Sequence, residues 1–190
     1  MDIERLPIDG VVLIRPRRIG DSRGFFAETF RRDRLVAEGL PCDFVQENHS
    51  LSRRVGTLRG LHYQLPPRAQ AKLVRVVRGA ILDVAVDIRR GSPSYGGHVK
   101  AVLSAENGHQ LLVPVGFAHG FVTLEPDTEV VYKVSDVYAP AEDRGVLWSD
   151  PALGVGWGVA SDAVHLSDKD RALPPLAAAE NPFLFEAATA

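Results

Sequence analysis

Long apolar runs are missing from this 190-residue chain, and none approaches the roughly 18 consecutive apolar residues that a membrane-crossing helix needs. No membrane role is expected. Cysteine is nearly absent too: Cys42 alone permits no intrachain disulfide, and it follows Pro41 without a neighbouring histidine or second ligand, so it reads as an inert packed thiol. The opening MDIERLPIDG lacks the basic, apolar and small-residue succession of a secretory leader, and a soluble cytoplasmic protein is the expectation. Lysine is scarce, with Lys72, Lys100, Lys133 and Lys169 making up only four of 22 basic residues; the other 18 are Arg, the better fork for carboxylate or phosphate. No block of one charge sign occurs. The basic residues are interspersed among 24 acids for a net charge of −2, which argues against a nucleic-acid stripe or a basic membrane patch but leaves a small anionic ligand open. Repeats, low-complexity tracts and linkers are also absent before about residue 176, where an Ala- and Pro-rich stretch begins and order is expected to fade. One domain covering residues 1–190 follows from the length.

What the chain does contain is short runs of β-branched or alternating character at residues 11–15, 44–50, 58–64, 72–77, 81–88, 98–103, 110–113, 117–124 and 129–134. Turn chemistry separates them, for example at Arg90-Gly-Ser-Pro93, Glu106-Asn-Gly108 and Pro114-Val-Gly116. This regular spacing predicts a mainly β sandwich or barrel instead of alternating strand–helix units. Helix signals are confined to residues 33–38, stopped by Gly39, and a turn opened by Ser167 with a capping-box pattern to Asp170. The N-terminal residues alternate enough to form another strand, one that could pair with a second subunit.

The segment Gly56-Thr-Leu-Arg-Gly-Leu-His-Tyr-Gln64, followed by Lys72, places an Arg, a His and a Lys in a largely apolar setting. Cations are costly there unless paired or used. A second histidine, His119, follows the Pro114-x-Gly116 turn, and the two segments are read as two walls of one cavity. Alternation puts Lys72 on the face of Val74 and Val76; it either snorkels to solvent at an edge or stabilises a negative charge. Arg59 and His62 fall on opposite faces of a regular strand, so they reach one ligand only if Gly60 permits a bulge, which we predict. Tyr132, in phase with Val130 and Val134, faces inward and either packs or titrates. Asp83 offers a neutraliser for Arg59 or Lys72, Asp170 either caps a helix or acts at the site, and His49, His98, His109 and His165 are expected to be solvated.

Pro114-x-Gly-x-x-His119 resembles the second motif of cupins. The metal-binding first motif is not matched, because His62-Tyr-Gln64 stands where His-x-His and a Glu would be needed. His62 and His119 alone are too few for a tight transition-metal site, so metal-free and cofactor-free chemistry is expected. A base (His62), a cation (Lys72) and a phenol (Tyr132) suit proton abstraction beside a carbonyl, with reprotonation from the opposite face.

Eight ordered segments then match a known family: Asp21-Ser-Arg-Gly-Phe-Phe-Ala-Glu28, Phe44-Val-Gln-Glu-Asn-His-Ser50, Leu58-Arg-Gly-Leu-His-Tyr-Gln64, Gln70-Ala-Lys-Leu-Val74, Asp83-Val-Ala-Val-Asp87, Ser92-Pro-Ser-Tyr-Gly96, Val113-Pro-Val-Gly-Phe-Ala-His-Gly-Phe121 and Leu166-Ser-Asp-Lys-Asp170. Over nearly its whole length the chain resembles the dTDP-4-dehydrorhamnose 3,5-epimerases. The resemblance implies a metal-free, cupin-like double-sheet jelly roll with short peripheral helices, forming homodimers. It implies action on dTDP-4-dehydro-6-deoxyglucose, inverting C3 and C5; relatives that turn C3 alone or C5 alone are the alternative. It implies His62 as proton acceptor, Tyr132 as donor, Asp170 as the group orienting His62, and Lys72 at the O4 enolate. It also implies substrate contacts from Arg23, Glu28, Gln46, Asn48, Arg59, His119 and Lys169, some of them from a partner subunit, with Tyr138 stacking on thymine. Asp143 departs from the family's usual Glu by one methylene.

Overall fold

A computed structural model describes residues 1–186 as two antiparallel sheets packed face to face. The larger sheet has the spatial order β1 (Asp2–Arg5), β2 (Val12–Arg15), β10 (Gln110–Val113), β7 (Lys72–Arg78), β12 (Thr128–Val134) and β5 (Gln46–Ser52). The smaller runs β13 (Asp143–Gly145), β6 (Leu58–Gln64), β11 (Phe117–Thr123), β8 (Ala80–Asp87) and β9 (His98–Ser104). This is a double-sheet jelly roll, mainly β, with two short helices at its periphery. All nine expected strands are present, with ends displaced by no more than two residues.

Period-two alternation explains which faces close. Val11, Leu13, Val74, Val76, Ile81, Ala85, Leu103, Leu111, Phe117, Phe121 and Val130 point between the sheets and form one buried cluster. The neighbouring residues Leu58, Leu61, Val84, Val86, Ala118 and Val122 point out of the smaller sheet, where Leu153, Trp157, Leu176 and Phe183 cover them. Strands β6, β8 and β11 of the smaller sheet are therefore buried on both faces, while the edge strand β9 exposes Lys100 and Val102. On the outer face of the larger sheet, Val12, Ile14, Leu73 and Leu112 meet Leu35 and Leu40, together with the buried Cys42. Leu35 belongs to helix α1 (Arg32–Ala37), which stops as expected at Gly39: its φ of +67° suits glycine, and the Gly39 and Leu40 amides close onto Val36 and Leu35.

Two elements lacked a strong sequence signal, and a third, the expected N-terminal strand, differs only in its partner. A detached hairpin, β3 (Arg18–Asp21) with β4 (Gly24–Ala27), stands off the sheets with Ile19, Phe25 and Phe26 exposed. The three-residue β13 pairs with β6, and β1 pairs with β2 of its own chain. Within the stretch from residue 176, Leu176 and Phe183 are buried and Arg90 donates to the Phe183 carbonyl, so this part packs on the core. The end of that stretch, residues 187–190, lies outside the described residues. Among the described residues no helix is long and apolar enough to cross a membrane.

Candidate active site

Strand β5 is polar on its inward face. Its alternation turns Gln46, Asn48, Ser50 and Ser52 inward and Glu47, His49 and Leu51 outward, so this end of the sandwich is not filled by apolar packing. A cavity of about 470 Å³ results, lined by Ser50, Arg59, His62, Lys72, His119, Phe121, Tyr132 and Asp170. A second hollow of about 310 Å³ adjoins it, sharing His62, Lys72, Tyr132 and Lys169 and adding Gln46, Asn48, Tyr138 and Asp143.

The predicted bulge is present. His119 is opposite His62 and Phe121 opposite Arg59, so Gly60 and Leu61 together face the single residue Gly120. Gly60 has φ of +133°, and a Cβ there would lie 2.5 Å from the Gly120 Cα. Only glycine fits. The slip brings Arg59 and His62 onto the same cavity. It also corrects one expectation: His62 and His119 do not stand on facing walls, because β6 and β11 are hydrogen-bonded neighbours and the two imidazoles share one wall. The opposite wall is the larger sheet, from which Lys72 on β7 and Tyr132 on β12 enter.

Each imidazole has its own carboxylate. His62 Nε2 pairs with Asp170 Oδ1 at 2.5 Å, and His119 Nε2 with Asp83 Oδ1 at 2.7 Å. Asp170 sits in helix α2 (Asp168–Arg171) and is buried; its amide donates to Ser167 Oγ while its carboxylate reaches His62, so the capping and site readings hold together. Burial pushes the Asp170 carboxyl up, but the His62 hydrogen bond and charge, with Ser167, outweigh this and hold it below its ordinary value. Among the described residues no group of three or more His, Cys, Asp or Glu side chains is placed to hold a metal ion.

Lys72 is buried, and its Nζ donates to the His62 carbonyl at 3.1 Å, which excludes the solvent-snorkelling reading. Burial pulls its pKa down to about 8, partly offset by the charges of Asp143 and Asp83. Tyr132 is half-buried. Burial raises its phenol above the ordinary value, with Arg59 and Asn48 acting against it, so the hydroxyl keeps its proton near neutrality. An imidazole and a phenol entering from opposite walls, with an ammonium on the imidazole's own backbone carbonyl, can remove a proton beside a carbonyl and return one from the other side.

The family model for dTDP-4-dehydrorhamnose 3,5-epimerase matches residues 5–178. The chain belongs to that family. It is 53% identical over 176 residues to the dTDP-4-dehydrorhamnose 3,5-epimerase of Sinorhizobium fredii, covering 93% of this chain and 90% of the relative. The dTDP-6-deoxy-D-glucose-3,5-epimerase of Legionella pneumophila, solved with dTDP-4-keto-L-rhamnose, superposes with a TM-score of 0.92 at 41% identity, covering 98% of this chain and 99% of that one. A 3′-monoepimerase of Streptomyces bikiniensis, solved with dTDP-quinovose, superposes at 0.83 with 38% identity and coverage of 91% and 87%.

In this dTDP-sugar epimerase the remaining expected residues divide in two. Gln46 and Asn48 hydrogen-bond each other at 2.8 Å, and Gln46 Oε1 accepts from the Tyr138 amide at 2.9 Å. Tyr138 donates to Asp143 Oδ2 at 3.0 Å, and Lys169 pairs with the same oxygen, so the shorter Asp143 carboxylate still joins this corner. Arg59 leans on Ser52 Oγ and the Leu51 carbonyl. Arg23 and Glu28 are elsewhere: Arg23 is exposed and paired with Asp21 at the hairpin tip, and Glu28 borders a separate hollow on the outside of the larger sheet. Within one chain they do not reach the cavity. His49 and His165 are exposed as expected, while His98 and His109 are only partly so. His165 nonetheless lies on the cavity rim beside Thr57. Ser50 also lines the cavity, and its Oγ is buried without a partner. Neither carried a site signal of its own; β5 alternation was the clue available for Ser50.

Proposed function

We propose that this chain epimerises dTDP-4-dehydro-6-deoxyglucose at C3 and C5, giving dTDP-4-dehydro-L-rhamnose, and that residues 1–190 form one cupin-like epimerase domain. What supports the reading is that His62 and Tyr132 enter one cavity from different sheets, with the buried Lys72 ammonium bonded to the His62 carbonyl. With Nε2 engaged by Asp170, the Nδ1 lone pair of His62 is the base that takes the proton from the carbon beside the C4 ketone. The C–H electrons move into the enolate, whose oxygen faces the Lys72 ammonium. The Tyr132 phenol then gives its proton to the opposite face, and solvent restores both groups. Repeating the sequence at the second carbon completes the double inversion.

The nucleotide handle fixes the sugar for both steps, since remote binding energy is well used in orienting a substrate for reaction. We assign thymine stacking to Tyr138 and polar contacts to Gln46, Asn48, Asp143 and Lys169, with Arg59 and His119 on the diphosphate and sugar. Arg23 and Glu28 we assign to the partner subunit's site in a homodimer: the exposed hairpin that carries Arg23, and the chain just after it that carries Glu28, are free to reach out of their own chain. A lone buried thiol suits the reducing cytoplasm, where we place the enzyme.

The test is turnover in deuterium oxide. Deuterium at both C3 and C5, with product accepted by a rhamnose-forming reductase, is the expected result. Deuterium at a single carbon would move the chain to the second reading, inversion of C3 or C5 alone, which its similarity to the Streptomyces bikiniensis 3′-monoepimerase supports.

A further inference from the structure

Behind the cavity wall lies a carboxylate that the proton transfers above do not use. Asp83 on β8 is completely buried. Its Oδ1 accepts from His119, while Oδ2 is buried with no hydrogen-bond partner. An ionised carboxylate with an unmet oxygen is expensive in a dry interior unless opposite charge lies near it. Alternation had made Asp83 a neutraliser for Arg59 or Lys72. Its hydrogen bond goes to His119 instead, and Arg59 is occupied with β5.

Lys72 supplies the nearby charge. The charged or titratable groups around it are Asp83 on β8, Asp143 on β13, Lys169 and Asp170 on α2, Arg59 and His62 on β6, His119 on β11, Tyr132 on β12 and His165 on the cavity rim. After burial, which lowers its proton affinity, Asp143 and then Asp83 raise it, and Lys169 opposes them. Asp143 is already bound to Lys169 and Tyr138. Asp83 has no Lys or Arg bound to it among the described residues; His119 engages Oδ1, and Oδ2 has no partner.

We propose that Asp83 is a positioning residue for two groups at once: it holds the Nε2–H of His119 against the back wall, leaving Nδ1 to accept from a substrate hydroxyl, and supplies the counter-charge that keeps Lys72 an ammonium. This rests on the epimerase reading. It adds a second carboxylate–imidazole pair whose work is to set protonation states instead of moving protons.

The isosteric Asp83→Asn variant tests it. Rate–pH profiles with dTDP-4-dehydro-6-deoxyglucose should show kcat down about 10- to 100-fold and the alkaline limb moved toward neutrality by about one pH unit, since losing one nearby buried charge is a shift of that order. A loss of rate with the limb unmoved overturns the counter-charge role. Nitrogen-15 NMR of the unaltered protein keeps the test independent of the variant's folding and of turnover. His119, assigned by the signals lost in His119→Gln, should carry a proton on Nε2 toward Asp83; a tautomer protonated on Nδ1 alone overturns the positioning role. Failure of the unaltered enzyme to turn over the ketosugar would instead sink the epimerase reading and leave these NMR outcomes to be judged alone.

Discussion

Lys72 crosses from the larger sheet to the smaller one and donates its ammonium proton to the main-chain carbonyl of His62 at 3.1 Å. The ammonium is thereby anchored on the backbone of the residue whose imidazole Asp170 holds. That placement has a thermodynamic cost, because the ammonium is buried and its proton affinity is lowered.

The cost gives the first prediction. The folded pKa of about 8 lies below the ordinary 10.5, so between those values the unfolded chain holds a proton that the folded chain does not. Stability from this group therefore rises as pH climbs from about 8 to 10.5, and the penalty is full below 8. Lys72→Met should lose turnover yet be more stable at pH 7, on the order of 1–3 kcal/mol for a shift of this size. Urea unfolding at pH 7 and pH 10.5 measures it, and the gain should shrink at the higher pH. A variant less stable at pH 7 would show that the ammonium's hydrogen bond outweighs its desolvation.

Tyr132→Phe separates abstraction from inversion. If His62 removes the proton and the phenol returns one from the far side, the variant still exchanges the C–H for deuterium on the His62 face but forms little product. Overall epimerisation should fall about 10²- to 10⁴-fold, the usual worth of one acid–base group. Complete loss of exchange, observed by NMR of recovered substrate, would place Tyr132 in the abstraction step as well.

Gly60→Ala probes the bulge. Its Cβ would strike the Gly120 Cα at 2.5 Å and the His119 carbonyl at 2.9 Å, at a φ of +133°. Both contacts are backbone, so neither can swing aside. Destabilisation of about 3 kcal/mol or more is expected, at the severe end for single substitutions. Stability within about 1 kcal/mol of the parent would mean that β6 keeps its register without the glycine.

The bulge was legible in the sequence because two cavity residues of opposite parity, Arg59 and His62, flank a glycine. Strands were legible for a similar reason: alternation with one buried face is a strong local signal. What escaped was long-range. That His62 and His119 share a wall depends on β6 pairing with β11, a partner choice that no local pattern specifies. The β3–β4 hairpin escaped because Arg18-Ile-Gly-Asp21 and Gly24-Phe-Phe-Ala27 make no alternating buried face, as neither strand packs on the core. Alternation makes Asp83 a neutraliser for Arg59 or Lys72, but its hydrogen bond goes to His119, a partner set by the pairing of β8 with β11 and not by its own strand.

The exposed hairpin leads to the last prediction. Arg23 is too far around its own chain to line the cavity, yet Ile19, Phe25 and Phe26 on the same hairpin are open apolar surface that suits a protein contact. In a two-fold dimer a reciprocal exchange follows, each hairpin serving the other site. Arg23→Ala and His62→Ala, each assayed alone at low substrate, should both be strongly impaired. Co-expressed and allowed to pair at random, half of the dimers are mixed, and each mixed dimer contains one site with both its own His62 and a partner's Arg23. About a quarter of the parental activity should return, as expected for symmetric exchange. If Arg23 serves its own chain, every site in every mixed dimer lacks one residue or the other and no activity returns, a result that would remove the hairpin from the partner's site.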